Sequence, residues 1–285
     1  MRHDQPTADD EHRRQFWRQM MDDAHAFMMQ VRQCPVTECG EPVVPLKEVA
    51  AKANVEVLFS TTPFAGAHER LFYLRAGLVE SFLGAARAMN AHNWALKVED
   101  AYRTRTMQTA LALSPSILEK VFERVRWECM GEEPSPELLF RRLTVLVATV
   151  PNIATHMSAS ALDVSVVDKS TGLEVNRGGP YLEMSENTPM QSPFLGQVAE
   201  GNRQQISAIM REYGFAAYPY EFWHYSNGDA IAVVLDGKQP AARYGAVDVE
   251  PRSGHVRPIV HPHHWLVTAE RLQSILDKLR DHTNE

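Results

Sequence analysis

An α+β fold is what this 285-residue chain predicts, on three features. Apolar residues recur at three- and four-residue spacing over 9–32 and 71–89, the period of a helix buried along one face. Leu162, Val164 and Val166 alternate with Asp163 and Ser165, the period of a half-buried strand. Helical and strand signals follow one another without the regular βα alternation of a parallel sheet. A central antiparallel sheet with helices packed on it is therefore expected.

In chain order, Asp9 and Asp10 supply a helix start, and Phe16, Met20, Met21, Ala24, Phe27 and Met28 an apolar stripe. The span 9–32 is expected to be a helix packed on the main body, its methionines filling irregular gaps in the core. The Cys-, Pro- and Gly-containing stretch 34–45 reads as a connector. The string LFYLRAGLVESFLGAARAM at 71–89 is long enough for about five helical turns and predicts a central core helix. A strand over 94–102 would deliver Arg103 at its end. Helices are expected over 114–126 and 135–147, parted by the breaker at 131–134. Residues 178–189 are turn-rich and 193–213 mostly helical; 230–235 is β-prone after the Asn227-Gly228 turn signal, and 268–280 forms an amphipathic helix. One structural domain accounts for this pattern. It comprises an N-terminal helical extension over 1–49, a core over 50–236 with a helical insertion at about 114–147, and a C-terminal extension over 237–285.

Composition excludes several function classes. An apolar fraction of 44% supports a buried core, and the longest apolar run, 143–150, falls far short of the roughly 20 residues that span a bilayer. No membrane segment is expected. A formal charge of −7, without a basic stripe interleaved with aromatics, argues against nucleic acid as a partner. The opening MRHDQPTADDEHRR places acids where a secretory leader has an apolar run, which predicts a cytoplasmic protein. Cys34, Cys39 and Cys129 are too few for a disulfide framework and are expected as reduced thiols. GxSxG, Walker A and dinucleotide GxGxxG motifs are missing.

What remains is a set of metal-ligand types. His156 and Asp163 stand seven positions apart, and Glu221 and His224 three apart in YPYEFWHY. Two imidazoles and a carboxylate make a catalytic zinc set that leaves a fourth position to water, with Glu221 spare as a base. A regular strand puts positions 221 and 224 on opposite faces, so this segment must bend, bulge or make a helical turn for both to reach one site. Each residue alone has an ordinary reading. A histidine before a strand is more often hydrogen-bonded than ligating, an aspartate in a strand often faces solvent, and Glu with His among aromatics can be a polar patch. His261, His263 and His264 in HPHHW have no carboxylate or cysteine at strong ligand spacing and read as loop histidines.

Taken together, Asp100-Ala-Tyr-Arg103, His156 to Asp163 within HMSASALD, Asn202 with Arg203, and Glu221-Phe-Trp-His224-Tyr225 occur in an order and spacing that resembles the D-alanyl-D-alanine dipeptidases. The resemblance covers roughly 50–236. It implies a compact α+β zinc D,D-peptidase fold, shared with D,D-carboxypeptidases and the hedgehog signalling domain, with helices added N-terminally, in mid-chain and C-terminally. It implies one Zn2+ per chain on His156, Asp163 and His224, with Glu221 as general base and Arg103 assisting at the scissile carbonyl. Tyr102, Leu182, Glu183 and Trp223 are the implied substrate-binding positions. The chemistry agrees with these roles. Zinc lowers the pKa of water from ~16 to about 7, and a neighbouring carboxylate can take the proton. A fixed guanidinium facing the developing oxyanion is commonly worth on the order of 3 kcal/mol.

The chain departs from that family's pattern at several places. Around the first ligand the family reads Ser-x-His-x-x-Gly-x-Ala-x-Asp, whereas Ala154 and Ala159 stand here for the serine and the glycine. Thr104 follows the arginine where proline is usual. In GGPYLEMSENT, Leu182 replaces the aspartate of Phe-Asp-Glu-Met that receives the substrate ammonium, leaving Glu183 or Glu186 as substitutes. The implied activity is zinc-dependent hydrolysis of a short peptide, D-Ala-D-Ala or a related D-amino-acid dipeptide. The departures motivate two rivals: a carboxypeptidase or amidase for longer, N-blocked or modified peptides, and a binding module stabilised by zinc. A small peptide is the expected partner, and the extra segments offer a surface for a homo-oligomer.

Overall fold

The computed structural model describes residues 8–65 and 68–268, together with 270, 271 and 274. Helix α1, Ala8–Gln33, opens on Asp9, Asp10 and Glu11, acids that favour the positive end of a helix, and buries Trp17, Met21, Ala24, Met28 and Val31. Strand β1 (Val43–Pro45), helix α2 (Leu46–Lys52), β2 (Val57–Phe59) and β3 (Tyr73–Arg75) follow. The core helix expected from 71 starts later, as α3, Val79–Ala91, after a 3-10 turn. Its first residues instead form β3, antiparallel to β1.

Arg75 gives the reason. This side chain is fully buried, with its guanidinium on Glu38 and on the carbonyls of Glu41, Ser158 and Gly245. Its own N–H donates to Ala159 C=O at 2.9 Å. An extended backbone frees that N–H for a distant partner, which a helix interior would not.

Strand β4, Trp94–Asp100, leads to α4 (Arg105–Ala112), α5 (Pro115–Glu128) and α6 (Pro136–Val147). The last two are the expected helix pair. The first was not expected, and Thr104 begins it: its hydroxyl accepts the Met107 N–H at 3.1 Å as an N-cap. Helices α1, α5 and α6 meet around a buried Arg142–Glu128 ion pair, onto which Trp17 Nε1 donates at 3.2 Å.

Strand β5 (Ala161–Asp168), helix α7 (Gln197–Glu212), β6 (Ala216–Ala217) and β7 (His224–Ser226) complete the main sheet, ordered β2-β4-β5-β7-β6. Its neighbours run antiparallel except β2, which is parallel to β4, so the expected antiparallel sheet is mixed. The crossover through α3 returns the chain in the same direction, which is what parallel pairing requires. Leu162, Val164 and Val166 face a core with Phe82, Met89 and Met210, while Asp163 and Ser165 face the other way. Strand β5 is nevertheless buried on both faces rather than half-buried.

The β-prone run at 230–235 is a helix, α8, Ala230–Asp236. Asp229 caps it by accepting the Ala232 N–H, and Gly237 at φ 65° ends it, so the caps prevail over β-branched composition. Strands β8 (Val247–Val249) and β9 (Val256–Pro258) form a hairpin in the C-terminal extension. The helix expected over 268–280 falls almost wholly outside the described residues. No described helix is long and apolar enough to cross a membrane.

Candidate functional site

His156 lies on a 3-10 turn, Thr155–Ser158, that feeds directly into β5; Asp163 is in β5, and His224 opens the adjacent β7. Register pairs Asp163 with His224 across the two strands. The ligand-type atoms of all three residues lie within 4.8 Å of one another, and all three side chains are buried. Asp163 Oδ1 is 3.1 Å from His156 Nε2 and 3.0 Å from His224 Nδ1. The opposite ring nitrogens are also engaged: His156 Nδ1 is 2.6 Å from the Ala101 carbonyl, and His224 Nε2 is 3.1 Å from Thr155 Oγ1 and 3.2 Å from Ser226 Oγ.

Those outer contacts decide what fits inside. A carbonyl can only accept, so His156 Nδ1 carries the proton and, in the neutral ring, Nε2 aims a bare lone pair at a carboxylate oxygen. Two acceptors facing each other need positive charge between them, and either a proton on the ring or a divalent cation supplies it. Two nitrogens and a carboxylate oxygen suit zinc. Burial works against the Asp163 charge, yet the two histidines hold its pKa well below the ordinary carboxylate range.

The segment before His224 turns as its site requires. His224 N–H approaches Glu221 C=O at 3.3 Å, and Tyr218 N–H donates to His224 C=O at 2.9 Å. This turn sets Glu221 in the same cavity as the three ligand-type residues. Burial, helped by the Asp163 charge, pushes the half-buried Glu221 carboxyl up to about 7.

Arg103 also lines the cavity and is almost buried. Its Nε donates to Asp100 Oδ2 at 2.8 Å, Nη1 to Gln108 Oε1 at 3.2 Å and Nη2 to Asp163 Oδ2 at 3.3 Å. Burial disfavours its charge, and Asp100 and Asp163 overcome that, so the guanidinium stays protonated. Gln108 in turn donates to the Val147 and Ala148 carbonyls, tying Arg103 to the end of α6.

Sequence reasoning missed Tyr181. Its hydroxyl donates to Asp163 Oδ2 at 2.9 Å, on the oxygen that the histidines do not use. The signal was present: Tyr181 stands where the family pattern has phenylalanine, beside Leu182. Ala154 offers no hydroxyl where the family pattern has serine, and the neighbouring Thr155 hydroxyl contacts His224 at 3.1 Å. Ala159 sits at φ 56°, a conformation that favours glycine, and it is fixed there by the Arg75 contact.

Of the expected substrate positions, Leu182, Glu183 and Trp223 line the cavity. Tyr102 does not. It is 1% exposed, packs with Val43, Val247 and Val256, and donates its hydroxyl to Val247 C=O, on the opposite side from its neighbour Arg103, as successive residues of an extended chain are. Arg203 is likewise outside the cavity; it donates to the carbonyls of Arg177, Asn187 and Pro189 and so holds the loop that carries Tyr181 to Glu183. His261 and His264 stack at 4.5 Å, and among the described residues no third ligand-type side chain joins them.

A family profile described as D-Ala-D-Ala dipeptidase, Peptidase M15, matches residues 44–242. A D-alanyl-D-alanine dipeptidase of Synechocystis is 27% identical over 231 residues, spanning 69% of this chain and 86% of that protein. A D-alanyl-D-alanine dipeptidase of Enterococcus faecalis is 29% identical over 76 residues, 27% of this chain and 38% of the relative. Among solved structures, the LdcB LD-carboxypeptidase is similar at TM-score 0.36 and 18% identity, covering 69% of this chain and 75% of its own. The D,D-pentapeptidase VanY, solved with Zn(II), is similar at TM-score 0.35 and 15% identity, covering 71% and 93%.

Proposed function

The chain belongs to the Peptidase M15 family of D-Ala-D-Ala dipeptidases, and from that premise we propose that it hydrolyses D-Ala-D-Ala or a related D-amino-acid dipeptide in the cavity shared by His156, Asp163, His224 and Glu221. It is a zinc metallopeptidase. His156 through Nε2, Asp163 through Oδ1 and His224 through Nδ1 would hold the metal; the observation that carries this is their convergence within 4.8 Å, with the outer ring nitrogens already spoken for. When bound there, zinc supplies Lewis acidity, polarising a carbonyl and acidifying water.

Glu221 is the proton carrier. Its carboxylate takes a proton from the attacking water and returns it to the leaving amine nitrogen, and burial, by raising its pKa, makes it a better base. Arg103, fixed on Asp100 and Gln108, meets the charge that develops on the scissile carbonyl oxygen without having to reorient. Aliphatic side chains from α4 to α6 around the cavity limit water access, which strengthens both effects.

A second reading, a carboxypeptidase or amidase on longer or N-blocked peptides, is favoured by Leu182, half exposed in the cavity where the family pattern has an acid. The zinc-loaded protein with D,D-, L,D- and L,L-dipeptides and longer peptides distinguishes the two. Glu221→Gln should retain its metal and lose about a hundredfold or more in kcat; undiminished turnover would remove Glu221 from the mechanism.

A further inference from the structure

Arg103 stands between two buried carboxylates and uses one oxygen of each: Nε donates to Asp100 Oδ2 at 2.8 Å and Nη2 to Asp163 Oδ2 at 3.3 Å. A single cation held by two anions is over-neutralised, which leaves it little attraction for an oxygen that turns negative nearby. The remaining oxygens relieve this. Asp163 Oδ1 faces the two histidines, on the side assigned to the metal. Asp100 Oδ1 accepts the Ala101 N–H at 3.0 Å and faces Arg70 Nη1 at 3.4 Å.

Arg70 lies between β2 and β3, and backbone contacts on either side place it. Phe64 and His68 exchange hydrogen bonds of 2.8 and 3.0 Å, and Leu71 C=O accepts the Tyr102 N–H at 3.0 Å. The Arg70 side chain is 7% exposed, and its Nε donates to Thr62 C=O at 2.7 Å. Nη1 is buried and, among the described residues, makes no hydrogen bond. A buried donor without an acceptor is costly, and what compensates it here is the charge of the fully buried Asp100. The Phe64 ring adds a second tie. Its centroid is 5.6 Å from Arg70 Cζ and 5.0 Å from Arg103 Cζ, close enough to attract both guanidinium groups. Arg70, Asp100, Arg103 and Asp163 thus alternate in sign from this loop to the ligand set.

Resting on the reading of Arg103 above, we infer that Arg70 is a positioning residue for the reaction: it balances and fixes the Asp100 carboxylate, and so leaves Arg103 anchored yet with charge to offer the scissile carbonyl oxygen. Arg70 does not line the cavity, so its effect passes through Asp100.

The test uses the full-length zinc-loaded protein and the fastest-cut peptide of the panel. Arg70→Gln sets an amide nitrogen where Nε stands, keeping a donor for Thr62 and losing the charge; Arg70→Lys keeps the charge and loses that donor. Arg70→Gln should lower kcat about tenfold with KM within about twofold of the parent, a part of what removing an oxyanion donor costs. Arg70→Lys should stay within about threefold of the parent's kcat. In an Arg103→Met background, Arg70→Gln should change kcat by less than about twofold, because a residue that acts through Arg103 has nothing left to act on. Both Arg70 variants should hold as much zinc as the parent, since Arg70 does not touch the ligand set. Should Arg70→Gln not fold, Arg70→Met carries the same cycle. Undiminished kcat in Arg70→Gln, an equal loss in both backgrounds, a lysine variant as slow as the glutamine one, or lost zinc would overturn the positioning role and leave the peptidase standing. An Arg103→Met variant with the parent's kcat would instead remove the reading of Arg103 on which it rests, and no zinc-dependent hydrolysis of any peptide by the parent would overturn both.

Discussion

Replacing Tyr181 by phenylalanine removes one oxygen and little else, which makes it a sensitive probe of how the metal site is held. The tyrosine hydroxyl donates at 2.9 Å to Asp163 Oδ2, and among the described residues the other donor on that oxygen, Arg103 Nη2, is at 3.3 Å. The ring packs edge-on against Trp223 at 5.9 Å, a contact that phenylalanine keeps. Losing a hydrogen bond to a buried carboxylate costs about 1.5–3 kcal/mol, and outer-shell partners of metal ligands typically account for 10- to 100-fold in affinity. Tyr181→Phe should thus weaken zinc binding about 10- to 100-fold, measured by competition with a chromogenic chelator at fixed pH. An affinity within twofold of the parent would refute the idea that Tyr181 orients Asp163.

Further outcomes follow from other contacts. Glu128→Ala leaves Arg142 buried without its main partner and should cost about 3–5 kcal/mol in urea unfolding, without changing zinc affinity. Glu221 has a folded pKa of about 7 against an ordinary value near 4.5, so in zinc-free protein its contribution favours folding at low pH and is lost as pH rises from about 4.5 to about 7. Glu221→Gln should then be more stable than the parent at pH 8 by up to about 3 kcal/mol, and no more stable at pH 4, by thermal melts without metal. For Glu186 the sign is opposite. Burial opposes its charge, but Arg13 and Arg124 lower its folded pKa, so its stabilisation is full above an unfolded pKa of about 4.3 and is lost as pH falls through the lower folded value. Glu186→Gln should flatten that acid limb of the melting curve. Thr104→Ala removes the N-cap of α4 and should cost about 1 kcal/mol in the same assay.

The metal-ligand types were legible because they are chemically rare together, and the spacing of Glu221 and His224 was informative for a physical reason: two groups that must share a site cannot lie three apart on a straight strand. The turn that resolves this is present. What local pattern could not supply were contacts between distant segments. The 71–89 run reads as one helix, but Arg75 has partners as far away as Glu38 and Gly245, and those contacts hold its first part extended. Composition at 230–235 favours a strand, yet one aspartate and one glycine at its ends make it a helix. Tyr102 and Arg103 are sequence neighbours that point to opposite sides of the chain, so one joins the core and the other the cavity, and which side the site occupies is set by distant segments. Tyr181 was overlooked because its importance lies in a hydroxyl aimed at a residue 18 positions away.

Elemental analysis of zinc per chain, on the parent and on His156→Ala, Asp163→Asn and His224→Ala, addresses the convergence of these three side chains most directly. One equivalent in the parent and less than about a tenth in each variant after gel filtration is the predicted result, with His263→Ala keeping a full equivalent. A full equivalent retained by any of the three ligand variants, or lost from His263→Ala, would contradict the assigned metal centre.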